Sequence, residues 1–150
     1  MLIYKINDDK GATLIELMGT VLVFMIGISA LLGVFYASSA MAKRAEHAYT
    51  AYNIAKNHIE DLKSFSFSDL TATNEDKSVV DENGVSAVGL SSGLYVRTTT
   101  VTPSYNGDAS LALVDVQVWY FLTQSDRQIF LAGTTNPTPV EMTTVIFQNG

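Results

Sequence analysis

The sequence predicts an α+β chain: one long N-terminal α-helix, half of it transmembrane, packed against a C-terminal antiparallel sheet of about four strands. Three observations carry this. Leu17 to Ala42 is a run of 26 residues without a formal charge, and about 20 apolar residues span a bilayer core. Helical periodicity then continues to Ser64 with no Pro or Gly after Gly33. Beyond it lie four segments rich in β-branched and aromatic residues, separated by polar turns. A membrane part joined to a folded part also explains a chain with 47% hydrophobic but only 16% charged residues.

The organisation expected from the N-terminus is residues 1–11, a helix half 12–42 in the membrane, an amphipathic half 43–64, and a globular part 65–150. A helix over 12–64 would extend roughly 80 Å, of which the membrane uses less than half. A cleaved secretory signal fits poorly, because its apolar core is shorter and its cut follows that core. Here the basic–glycine pair Lys10-Gly11 precedes the core. Lys5 and Lys10 flank one end of the run and Lys43 and Arg44 the other, so basic residues do not decide its orientation.

In the amphipathic half, Ala45, Ala48, Tyr52, Ala55, Ile59 and Leu62 recur at three- and four-residue spacing and predict the stripe that needs cover. Lys43, Glu46, Lys56, Glu60 and Lys63 mostly face elsewhere, with Lys56 and Glu60 spaced for a weak pair. Within the apolar half, Ser29, Gly33 and Ala37 form a ridge of small side chains, of the kind that lets helices approach in lipid.

Residues 65–92 are rich in Ser, Thr, Asp, Asn and Gly and read as an irregular connection with a turn at Asn83-Gly84. Strands are expected at 94–101, 111–122, 129–133 and 140–147. PSYNGD is expected to close the first pair as a hairpin and TQSDR the second. Val114, Val116, Val118 and Tyr120 share one strand face, the best candidate to lie on the helix stripe.

Chemistry is sparse. There is no cysteine, which removes disulfides and thiolate catalysis. His47 and His58 return to one helix face but stand ~16 Å apart, too far to share a metal. Asp76, Asp81 and Glu82 lack the alternating ligands of a calcium loop. No phosphate-binding glycine loop or nucleophile elbow is present. Phe24, Phe35, Tyr36, Tyr49 and Tyr52 are explained by lipid contact and packing. An enzyme is the weak reading, and no cofactor is implied. Residues 65–150 carry three Lys/Arg against nine Asp/Glu, which argues against a general nucleic-acid surface.

The acid in the apolar run is the sharpest feature. Glu16 lies about one turn into the otherwise apolar stretch that follows Lys10-Gly11, where an ionisable residue is by default functional and partnered. Read with its neighbours, KGATLIEL (10–17) resembles the processing site of type IV prepilins and the related pseudopilins of type II secretion. The resemblance implies a leader ending at Lys10-Gly11, cut by a prepilin peptidase between Gly11 and Ala12, and methylation of the Ala12 amine. It further implies a pilin-like fold and other pilin subunits as partners through the N-terminal helix. Glu16 would then face the Ala12 amine of a neighbouring copy in the filament. Two desolvated opposite charges attract strongly, but the gain only partly offsets their desolvation, so such a pair is better suited to setting register.

The implied life cycle starts as a single-pass inner-membrane precursor with a short cytoplasmic leader, surrounded by lipid. An inner-membrane assembly platform would then draw it into a periplasmic or extracellular filament. Ala12 stands where phenylalanine is usual, and Gly33 where major pilins commonly carry proline. With Gly27, these departures are similar to minor pilins of the pilus-modification type. A type II secretion or competence pseudopilin is the alternative within the family, and a membrane-anchored binding domain that never polymerises is the alternative outside it.

Overall fold

A computed structural model describes residues 14–70, 72–87 and 93–148. The order of elements is α1 (Leu14–Lys63), α2 (Phe67–Leu70), β1 (Glu75–Val80), β2 (Tyr95–Pro103), a single 3-10 turn at Tyr105–Gly107, β3 (Leu111–Tyr120), α3 (Gln124–Leu131) and β4 (Val140–Phe147). The four strands form one antiparallel sheet in the order β1-β2-β3-β4. The chain divides into two compact units, Met1–Ala42 and Lys43–Gly150.

In the first unit, every described residue is exposed. Leu14 to Tyr36 presents Leu, Ile, Val, Met and Phe all around the helix, so this stretch has no dry side. Helical hydrogen bonding runs through Gly27 and Gly33 without a break. By length and composition α1 is a candidate membrane span, and none of its apolar window is buried within the chain.

In the second unit, the end of α1 lies on one face of the sheet. Ala51, Ile54, Ala55, Ile59 and Leu62 are buried with Val101, Ala112, Val114, Val116 and Val118, and Tyr120 packs at their edge. The expected valine face of β3 is therefore the one that covers the helix. Of the expected helix stripe, Ala55, Ile59 and Leu62 are buried; nearer its start the covered residues differ, with Ala51 and Ile54 buried and Ala45 and Tyr52 exposed. The branched, fully apolar Ile54 occupies the interior, and Tyr52, whose phenol needs water or a partner, stays outside. Glu60 pairs with Lys63 at 3.5 Å, in place of the expected Lys56.

The opposite face of the sheet carries a second, smaller core of Val96, Trp119, Phe121 and Phe130. Alternation along β3 separates the two cores: Val114, Val116 and Val118 point to α1, and Trp119 to α3. Phe130 of α3 meets Trp119 at 5.0 Å and Phe121 at 5.3 Å between ring centroids. The Lys77 ammonium lies 5.0 Å over the same Phe130 ring.

Two expectations are corrected here. Residues 129–133 are not a strand, and TQSDR does not close a hairpin; Gln124–Leu131 is helix α3. Thr123 caps it, its hydroxyl accepting from the Asp126 amide at 3.2 Å and donating to the Asp126 carboxylate at 2.8 Å. That cap favours a helix start at this point, against the β-propensity of Ile129 and Phe130. The fourth strand is instead β1, inside the segment read as irregular. β1 is polar because it is an edge, and its pairing with β2 slips between Glu75 and Ser78, with Lys77 at φ 45°. The expected Asn83-Gly84 turn is present: the Asp81 carboxylate accepts from the Asn83 and Val85 amides, each at 2.9 Å, and Gly84 takes φ 80°. The β2–β3 hairpin also forms where expected, and β4 spans 140–147 as expected.

Candidate functional site

The site residues Lys10, Gly11 and Ala12 lie outside the described residues. Glu16 lies in the first described turn of α1, and its backbone carbonyl accepts the Thr20 hydroxyl at 2.8 Å. On the small-residue ridge, the Ser29 hydroxyl donates to the Met25 carbonyl at 2.9 Å. Both hydroxyls are thus satisfied within their own helix, which lets them sit in an apolar surrounding without an unmet donor. Gly19, Gly27 and Gly33 have nothing within 4 Å of where a Cβ would stand. This surface is apolar and suited to lipid or to other helices.

The polar chemistry of the second unit is concentrated under α1. Arg97 on β2 donates from Nε to Glu75 Oε2 at 2.7 Å and from Nη2 to Glu75 Oε1 at 3.1 Å. Its Nη1 donates to the Gly84 carbonyl at 3.0 Å. The bidentate pair is largely dry, with side-chain exposures of 8% for Arg97 and 20% for Glu75. Burial alone would raise the Glu75 pKa, but the Arg97 and Ser78 hydrogen bonds outweigh it and hold the carboxyl below its ordinary value. His58 of α1 joins the edge of this network through Nε2 and the Thr99 hydroxyl at 3.1 Å. Burial first, and the nearby Arg97 charge second, lower its pKa, against smaller raising effects of Glu75 and Asp61.

His47 lies nearer the apolar end of the helix. Its Nδ1 is 2.9 Å from the Tyr95 hydroxyl, and its ring stacks on Tyr120 at 12° between planes. The two histidines thus face the sheet at separate places, each with its own hydroxyl partner. They are helix–sheet fasteners. Among the described residues no group of three His, Asp or Glu side chains could hold a metal.

Sequence reasoning missed Arg97 and Arg127, two of the three basic residues of the C-terminal part. Both are buried, and Arg127 Nη1 donates to the Gly93 carbonyl. An isolated Arg within a strand or an apolar helix face, in an otherwise acidic region, was the available signal. Gly93 is needed at that approach, since a Cβ there would come within 2.8 Å of Val79 and 2.9 Å of the Val80 carbonyl. A scan of protein-family models, a search of curated proteins and a search of solved structures each returned no match.

Proposed function

We propose that this chain is a structural subunit of a type IV pilus-like filament, of the minor-pilin kind, and not an enzyme. One observation supports the reading above others: the N-terminal stretch of α1 is apolar on every face, with none of its most apolar part buried within the chain and an acid near its start. A helix of that kind must be covered by lipid or by other helices. In the membrane precursor the cover is lipid. In the filament it is the same helix of neighbouring copies, reached through the inner-membrane assembly platform.

Cleavage between Gly11 and Ala12 by a prepilin peptidase frees the Ala12 amine and makes Glu16 the fifth residue of the processed chain. Each Glu16 then faces the methylated Ala12 amine of the next copy and sets the axial register of the helices.

The decisive measurement is the intact mass of the chain extracted from membranes of its own host. The proposal requires loss of residues 1–11 and one added methyl group. A chain that keeps its leader, with Glu16→Ala as functional as the parent, would instead be a membrane-anchored domain that never polymerises.

A further inference from the structure

The second unit contains a groove of about 420 Å³ lined by Arg44, Tyr120, Phe121, Leu122, Asp126, Pro137 and Thr138. Its walls are mainly aromatic and aliphatic, and its two formal charges have opposite sign. Arg44 forms no ion pair with an acid among the described residues, Asp126 included. The two charges therefore share the groove without neutralising one another. Thr123 engages one Asp126 oxygen, Oδ2, and so holds the carboxylate in place.

The position of Arg44 gives the groove its meaning. It stands two residues after Ala42, where the uncharged run ends. That run of 26 residues rises about 39 Å along a helix, close to the roughly 40–45 Å of a bilayer with its headgroups. Arg44 thus falls at headgroup depth, and Tyr120 in the groove wall is of the type that favours this layer.

We infer that this groove binds the headgroup of a zwitterionic phospholipid of the phosphoethanolamine class. Arg44 takes the phosphate through its planar fork of donors, and Asp126 takes the ammonium. Tyr120, Leu122 and Pro137 cover the glycerol end, while the acyl chains remain in the bilayer. The inference rests on the membrane-span part of the reading above and not on polymerisation.

The protein carries its own reporter. Trp119 is the single tryptophan, and its indole donates to the carbonyl of Pro137, a groove residue, at 2.9 Å. Full-length protein in maltoside micelles is titrated with dihexanoyl-phosphatidylethanolamine while Trp119 emission is followed. A saturable change is expected, and Arg44→Gln should weaken it at least tenfold. Arg44 is exposed, so loss of its charge leaves the fold intact. Asp126→Asn should weaken the ethanolamine lipid but not dihexanoyl-phosphatidylglycerol, which lacks the ammonium; a merely unfolded variant would lose both.

An unmoved curve in Arg44→Gln, or equal binding of the two lipids by the parent, would overturn the assignment. So would equally tight binding of phosphoethanolamine without acyl chains, which would give the groove a soluble ligand. Because the titration does not depend on the leader, its failure and a failed intact-mass test are read separately.

Discussion

Replacing Glu75 by Gln keeps the shape of the Arg97 partner and removes its charge. In the parent, three guanidinium nitrogens of Arg97 make three hydrogen bonds, two of them to the Glu75 carboxylate. The guanidinium is nearly enclosed and cannot lose its proton. Glu75→Gln therefore leaves a buried cation with only the Gly84 carbonyl and one amide oxygen. Removing one partner of a buried pair costs about 3–5 kcal/mol, and the partial exposure of Glu75 puts this case near about 3 kcal/mol. In urea, with a slope of about 1–3 kcal/mol per molar, the midpoint should fall by roughly 1–3 M. Trp119 emission in the full-length chain in detergent reports the transition. The double variant Glu75→Gln/Arg97→Met should recover much of the loss, because no charge is then stranded. A midpoint within about 0.3 M of the parent for Glu75→Gln alone would refute the idea that Arg97 depends on this carboxylate.

The remaining predictions concern pH and a helix cap. His58 has its pKa lowered in the folded state, so the unfolded chain takes up a proton first as pH falls. Stability from this group is complete above the ordinary value of 6.5 and declines below it, until the folded pKa is passed. Urea midpoints at about pH 7.5 and about pH 5.5 should differ more in the parent than in His58→Gln, the parent losing stability at the lower pH; equal differences would remove His58 as the cause. Glu75, also lowered, works in a more acidic window: its contribution is present above the ordinary carboxylate value and is lost as pH falls through its folded pKa. Thr123→Ala should cost about 1 kcal/mol by uncapping α3, with Thr123→Ser near neutral. A neutral Thr123→Ala would mean that packing of Phe130, not the cap, starts this helix.

Several features were legible because they depend on local pattern. The 26-residue uncharged run, the continuous helix, the valine alternation of β3 and the Asn83-Gly84 turn are each read from adjacent residues. Strand β1 was not legible, because an edge strand needs neither apolar residues nor alternation once a partner supplies its hydrogen bonds. Helix α3 was misread from the β-propensity of IFL (129–131), although Thr123 and Asp126 held the stronger capping signal at the right spacing. The Arg97–Glu75 pair joins residues 22 apart in sequence, and no short-range rule connects them.

By itself the sequence determined the apolar helix, the acid near its start and the α+β character, since hydropathy and periodicity act over one or two helical turns. Only the tertiary structure decided which residues complete the covered face of α1 ahead of Ala55, which segments become the fourth strand and the second helix on the sheet, and where the buried charges meet. Those outcomes depend on surfaces brought together from distant parts of the chain. There the choice between Ile54 and Tyr52, or between water and a carboxylate for Arg97, is made by burial that a single segment does not possess alone.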